Sequence, residues 1–115
     1  MENKDLSHLL HDSQVDKLFW RLQHKDRYFA VAKEVPLWKK SMFGKKGQAD
    51  VLTIDKVNNR IIYWEVKTGQ SYKAIRKAKK QASRFHSHMS NHPLYSQWDS
   101  QFIYYNPIKE EIKRI

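Results

Sequence analysis

Hydrophobic residues recur at helical spacing in the first part of the chain. From Val15 to Leu22 the apolar positions lie three and four residues apart, which predicts a helix over residues 14–24. The sequence SQVD at its start matches a capping box. Whether residues 6–11 extend this helix stays open, because their leucines point to a different face.

Strand character dominates four later segments, which are rich in β-branched and aromatic residues. These are RYFAVAKEVPL, QADVLTID, RIIYWEVK and QFIYY. The first is expected to stop at Pro36, which cannot donate to a sheet ladder. Paired asparagines in KVNN predict a turn between the second and third strands, and IKRI is a candidate for a short fifth strand that pairs back on the fourth.

Helical spacing returns in SYKAIRKAKKQASRFHSHM, where an apolar stripe runs along one side and lysines and arginines occupy the others. The order helix, three strands, helix, strand predicts an α/β fold with a central mixed β-sheet flanked by helices. No linker, repeat or low-complexity tract divides the chain, so residues 1–115 are expected to form a single domain.

Charge and composition narrow the class of partner. Lysine and arginine number 22 against 12 aspartates and glutamates, a formal net charge of +10, which favours a polyanion and above all nucleic acid. No segment approaches the ~20 apolar residues of a membrane span, and the start lacks a signal-peptide pattern. We therefore expect a cytoplasmic protein with no membrane partner. Without cysteine, any metal must be held by oxygen or imidazole.

Two charges interrupt the apolar run IIYWEVK. Side chains alternate along a strand, so Glu65 and Lys67 project from one face about 6 to 7 Å apart. Asp50 shares that face if a two-residue turn sets it opposite Lys67, or if a four-residue loop sets it opposite Glu65. Two carboxylates and an ammonium can hold a hard cation and stabilise charge on a phosphate. The ordinary alternative, solvated charges on an edge strand, fits this apolar mid-chain segment poorly.

Three spaced motifs resemble the PD-(D/E)XK nuclease superfamily: Gly47-Gln48-Ala49-Asp50, Glu65-Val66-Lys67 and Gln81 to Phe85. They are most similar to the RecB-type and lambda-exonuclease-like branch, with small Holliday-junction-resolvase-like and replication-repair nucleases as near alternatives. The resemblance covers residues 34–85 and implies a restriction-endonuclease-like αβββαβ core. Ala49 replaces the usual proline, and Phe85 replaces the usual tyrosine and is expected in the core.

The resemblance also implies roles for individual residues. Asp50, Glu65, the carbonyl of Val66 and Glu34 would bind Mg²⁺ or Mn²⁺. Lys67 would be the catalytic lysine, and Gln81 would join the active site. Glu34 and Gln81 also have ordinary interpretations, as an exposed strand residue and a solvated helix residue. The first helix often adds an acid or a histidine in this branch. The candidates are His8, His11, Asp12 and Asp16, with the two aspartates preferred.

Lysine-rich segments predict the surface that binds nucleic acid, although solvated lysines are the ordinary alternative. The candidates are Lys39, Lys40, Lys45, Lys46, Lys77 and Arg84, with Trp38 or Phe43 as a stacking ring. The expected function is metal-assisted hydrolysis of DNA phosphodiester bonds in replication, recombination or repair, leaving a 5′-phosphate by resemblance. A homodimer or an accessory protein would supply specificity. The alternatives are a catalytically inactive nucleic-acid-binding module and a basic protein-interaction domain.

Overall fold

The structure is a computed structural model that describes residues 6–38, 47–69, 72–93 and 96–115. In this part of the chain, two helices and five strands follow one another. They are α1 (Leu6–Gln23), β1 (Tyr28–Trp38), β2 (Gly47–Asp55), β3 (Arg60–Val66), α2 (Tyr72–Asn91), β4 (Asp99–Asn106) and β5 (Glu111–Arg114). None of the described helices combines the length and apolar character that a membrane crossing needs.

The five strands form one mixed sheet in the order β1-β2-β3-β4-β5. All neighbours are antiparallel except β3 and β4, which run parallel, and α2 provides the long crossover that a parallel pair requires. β3 therefore lies at the centre of the sheet, and its residues 61–66 are all buried. The α/β class and the mixed sheet expected from the sequence are confirmed.

Each helix covers one face of the sheet, and the alternation of β3 divides the core between them. Ile62, Trp64 and Val66 pack against the α1 side, together with Val15 and Leu18 of that helix. The cluster on the α2 side comprises Ala49, Ile61, Tyr63, Ala78, Ala82, Phe85, Met89, Phe102 and Tyr104. Phe85 is fully buried there, which confirms its expected place in the core.

Three element boundaries differ from or complete the sequence predictions. α1 begins at Leu6, so the segment left open does belong to the helix. β1 continues to Trp38, and the prediction that it stops at Pro36 is wrong, because Pro36 pairs with Gln48 on what is an edge strand. An edge position tolerates a residue without an N–H. The fifth strand is confirmed as β5.

A buried carboxylate organises the β2–β3 hairpin. Asp55 pairs with Arg60 across a four-residue loop, and its side chain accepts hydrogen bonds from the N–H groups of Val57 and Asn58 at 3.0 and 3.2 Å. Arg27 donates to the same carboxylate at 2.6 Å. Hydrogen bonds from Asn58 and then from Arg27 hold the pKa of Asp55 at about 2. This capped loop fixes the register of the hairpin.

Candidate active site

The hairpin register brings Asp50 to the end of β3. The last pair of the ladder joins Val51 to Trp64, so Asp50 and Glu65 come next in register. The Asp50 carboxylate accepts a hydrogen bond from the Val66 N–H at 2.8 Å. Of the two registers left open by the sequence, the four-residue loop is therefore the one that forms.

The sheet is irregular at the level of Asp50. Ala49 belongs to the cluster beneath α2 and Val51 to the cluster beneath α1, although residues two apart on a regular strand share a face. On the neighbouring strand β1, Glu34 adopts a φ of 54°, which is uncommon for any residue but glycine. Regular alternation is thus interrupted at the position from which the Asp50 side chain reaches the end of β3.

Glu65 is a nearly buried carboxylate with incomplete hydrogen bonding. Its Oε1 lies 3.3 Å from Lys67 Nζ, and its side chain is 7% exposed. Its Oε2 is buried and has no hydrogen-bond partner among the described residues. Burial and the negative charge of Asp50 raise the pKa of Glu65 to about 7, against the opposing effects of Lys67 and of a hydrogen bond with Tyr63. The pair of carboxylates is therefore an environment that favours a cation.

The backbone of Lys67 is held in place by the neighbouring strand β4. Its backbone N–H donates to the Tyr105 carbonyl at 2.9 Å, and Asn106 Nδ2 donates to the Gly69 carbonyl at 3.1 Å. The Lys67 side chain is 31% exposed. β4 thus anchors the backbone after β3 while the ammonium group remains accessible to solvent.

The first helix contributes His11 to the site. His11 Nε2 donates to the Val66 carbonyl at 3.1 Å and lies 3.4 Å from Asp50 Oδ2. Both neighbours are acceptors, so Nε2 must carry a proton. The hydrogen bond to Asp50 is the main cause that raises the pKa of His11. Three groups therefore meet at this point: an imidazole, a carboxylate and a backbone carbonyl.

The two aspartates preferred from the sequence lie further away. Asp12 Oδ1 is 3.6 Å from His11 Nδ1, which places it behind the imidazole. Asp16 is exposed and pairs with Lys33 at 2.7 Å, which argues against a role in the site. His8 belongs to α1, but its side chain lies outside the described residues.

The remaining predicted residues are distributed around the site. Glu34 is exposed, and Lys77 and Arg84 are exposed on α2. Gln81 is half-buried, with an Oε1 that is buried and has no partner among the described residues, so it is not a fully solvated glutamine. Some predicted nucleic-acid contacts lie outside the described residues: Lys39, Lys40, Lys45 and Lys46, together with Phe43 and the Trp38 side chain.

The donor set at the site is small and consists mainly of oxygen. Across residues 6–38, 47–69, 72–93 and 96–115, no three side chains of His, Cys, Asp or Glu form a group that could hold a metal ion. Mg²⁺ in proteins is commonly held by one or two carboxylates, with waters and substrate phosphates completing its shell. Asp50, Glu65 and the Val66 carbonyl fit that open kind of coordination better than a closed structural site.

Two residues of the candidate site were not among the preferred sequence candidates, although their positions in the sequence indicate them. Tyr63 precedes Glu65 by two residues and therefore shares its face. His11 lies four residues before Val15 and seven before Leu18, which places it on the buried stripe of α1. Asp12 and Asp16 fall off this stripe. When it is extended by one turn towards the N-terminus, the buried stripe of α1 includes His11 and favours it over the two aspartates.

Comparison with known proteins does not assign the chain to a family, because no family model and no curated protein matches it. The function is therefore inferred from the residues and their geometry.

Proposed function

We propose that this protein is a Mg²⁺- or Mn²⁺-dependent deoxyribonuclease with a restriction-endonuclease-like core of the PD-(D/E)XK type. The observation that carries the proposal is the convergence of Asp50, Glu65 and Lys67 at one end of the sheet. A carboxylate oxygen of Glu65 is buried beside a second carboxylate and has no hydrogen-bond partner among the described residues, which is costly for stability. Binding of a cation at this site would offset that cost, and such costly ionisable groups are typical of functional sites.

The residues present fit a divalent ion. Asp50 and Glu65 would hold it through carboxylate oxygens and Val66 through its carbonyl. His11 Nε2, which lies within 3.4 Å of both Asp50 and the Val66 carbonyl, would add a nitrogen donor once deprotonated. Imidazole suits transition metals better than Mg²⁺, so His11 favours Mn²⁺. When bound, the ion would neutralise phosphate charge and lower the pKa of water.

Lys67 would contribute directly to hydrolysis. Its ammonium group is partly exposed and is oriented by Glu65 at 3.3 Å. A phosphodiester lying over the two carboxylates would bring a non-bridging oxygen towards this charge. Lys67 would then stabilise the negative charge that develops on the phosphate in the transition state, a type of contribution that is large in water-poor sites.

DNA is the proposed substrate because the charge of +10 favours a polyanion and the proposed site acts on phosphodiesters. The exposed cations of α2, including Lys77 and Arg84, would bind the backbone. An intracellular role in replication, recombination or repair, with specificity supplied by a second copy or an accessory protein, extends the same proposal.

The test is cleavage of linear duplex, single-stranded and four-way-junction DNA with Mg²⁺, Mn²⁺ or EDTA. We expect cleavage of at least one substrate with metal and none with EDTA. Lys67→Ala should slow cleavage by about 100- to 1,000-fold. Lys109→Ala, which removes an exposed lysine of the β4–β5 turn, serves as the matched control. No cleavage by the wild-type protein, or equal rates for Lys67→Ala and wild type, would reject the proposal.

One observation favours the alternative of a catalytically inactive nucleic-acid-binding module. His11 already bonds the Val66 carbonyl and neighbours Asp50, so these two groups have a protein partner without any metal. An inactive module would bind DNA equally well with EDTA and with Mn²⁺, and would cut no DNA in either.

A further inference from the structure

α2 covers only part of its face of the sheet. Ala30 pairs with Ile54, and Ala32 pairs with Leu52, so these alanines share the face on which Leu52 and Ile54 pack towards α2. Leu52 and Ile54 are half-buried, whereas both alanines are exposed. The helix therefore leaves the β1 side of this face uncovered, and the side chains exposed there are small.

A basic flank of α2 borders the open face. His86 Nδ1 lies 2.6 Å from Ser100 Oγ of β4, so the flank carrying His86 faces the β4 side of the sheet. Lys77 and Arg84 lie on the other side of the buried stripe, towards β2 and β1. Both are exposed, and neither has an ion-pair partner among the described residues. Two exposed cations thus lie on the flank of α2 that faces the side of the sheet carrying Ala30 and Ala32.

An exposed aromatic ring lies near the end of β1 that is further from Asp50. The β1–β2 register skips Phe29, which makes it an extra residue of β1. Its side chain is 71% exposed, and Lys56 Nζ lies 5.9 Å from the ring centroid. An exposed ring beside a cation suits a stacked base and its phosphate, and stacking requires a base that is not enclosed in a duplex.

We propose that this face is the track of a single nucleic-acid strand that leads to Asp50 and Glu65. The "strand track" is the surface formed by Phe29, Ala30, Ala32, Lys56, Lys77 and Arg84. In this arrangement the cations bind phosphates, the alanines leave room for the sugar-phosphate chain, and Phe29 stacks on an unpaired base.

The strand track has a definite length, and its charge differs between its two ends. Asp50 and Asp55 are five residues apart on β2, a span of about 17 Å, or about five stacked nucleotides. Among the described residues, exposed cations lie along α2, and Glu34 is exposed near Asp50 at the site end. This inference rests on the proposed function, since it names the substrate class of that site: DNA with a single-stranded segment.

Binding without cleavage tests the strand track. Fluorescence anisotropy of labelled oligo(dT) in EDTA should show that Phe29→Ala weakens affinity by about 5- to 100-fold and that Phe29→Trp retains it. Ile112→Ala removes a side chain of similar exposure, 63%, on the far edge strand β5 and should leave affinity unchanged. Affinity should rise with oligonucleotide length up to about five or six nucleotides and then level off.

Charge and strandedness give two further readouts. Lys56→Ala and Arg84→Ala should each reduce the slope of log affinity against log salt by about 0.7, while Lys109→Ala should not change it. Phe29→Ala should weaken binding of blunt duplex DNA far less than binding of oligo(dT), because paired bases do not stack on the ring.

The outcomes separate this inference from the nuclease proposal. Equal oligo(dT) affinities for wild type and Phe29→Ala, or an equal loss for duplex and single strand, would overturn the strand track even if the protein cuts DNA. Selective loss of single-strand binding in a protein that cuts nothing would support the track and reject the nuclease.

Discussion

The two helices cover opposite faces of one sheet, but they are attached to it in different ways. α2 has a continuous apolar stripe, in which Phe85 and Met89 are nearly fully buried. α1 buries Val15, Leu18 and Leu22 but also exposes apolar residues on its outer side, including Leu6 at 84% and Trp20 at 64%. The buried stripe alone therefore specifies the orientation of α2 far better than that of α1.

Polar contacts hold α1 and the turn after it along their length. His11 reaches the Val66 carbonyl at one end, Asp16 pairs with Lys33 in the middle, and Arg27, just beyond the helix, bonds Asp55. Directional contacts place a side chain more narrowly than apolar packing does. α1 thus places the His11 imidazole at the candidate site, while α2 supplies core packing and a charged surface.

The largest effect expected from this comparison is on α2. Phe85→Ala should lower the free energy of unfolding by about 3–5 kcal/mol, because it opens a cavity in a fully buried position. Leu6→Ser on the outer side of α1 should change it by less than about 0.5 kcal/mol. Urea unfolding followed by circular dichroism measures both. Similar losses in the two variants would break the contrast between the helices.

The next effect concerns the chemistry carried by α1. His11→Ala should lower Mn²⁺-dependent cleavage by about 10- to 100-fold, and it should lower Mg²⁺-dependent cleavage less, because Mg²⁺ prefers oxygen ligands. Asp16→Ala, which removes an exposed contact on the same helix, is the matched control and should cut like wild type. A greater loss for Asp16→Ala than for His11→Ala would transfer the role to the aspartate.

Part of this arrangement was readable from the sequence. Strand alternation placed Glu65 and Lys67 on one face, and both even-length loops put Asp50 there as well. Alternation alone could not choose the loop, because the choice depends on how Asp55 binds Asn58 and Arg27. Arg27 lies 28 residues away, so this contact has no local signature. The apolar stripe of α1 places His11 on the buried side of the helix, but its contacts with Asp50 and Val66 depend on where α1 crosses the end of β3.

Acid should weaken the attachment of the turn after α1. The pKa of Asp55 lies at about 2 in the folded protein, below its ordinary value of 3.8. A lowered folded-state pKa contributes stability that is complete above the ordinary value and is lost as the pH falls from about 4 to about 2. Asp55→Asn should cost about 1–3 kcal/mol at pH 7 and should flatten the decline of stability across that window. A decline as steep as that of wild type would place the acid-sensitive group elsewhere.

The smallest effect should come from the charged surface of α2. Arg84→Ala should raise the KM for DNA by a few-fold and leave kcat nearly unchanged, because a phosphate contact far from the reacting atoms adds uniform binding. Steady-state cleavage at two salt concentrations measures this, and Arg114→Ala on β5 provides a matched exposed arginine. A fall in kcat with constant KM would mean that α2, and not only α1, takes part in the chemistry.

The proposed function assigns metal-dependent hydrolysis of DNA to the carboxylates at the end of the sheet. The single-turnover rate of Mn²⁺-dependent cleavage by Asp50→Asn, measured beside wild type and Lys109→Ala, tests it most directly. Asp50→Asn keeps the size of the side chain and an oxygen that can accept from the Val66 N–H, but it removes the charge. We expect Asp50→Asn to cut at least about 100-fold more slowly than both other proteins. Equal rates for all three would contradict the claim.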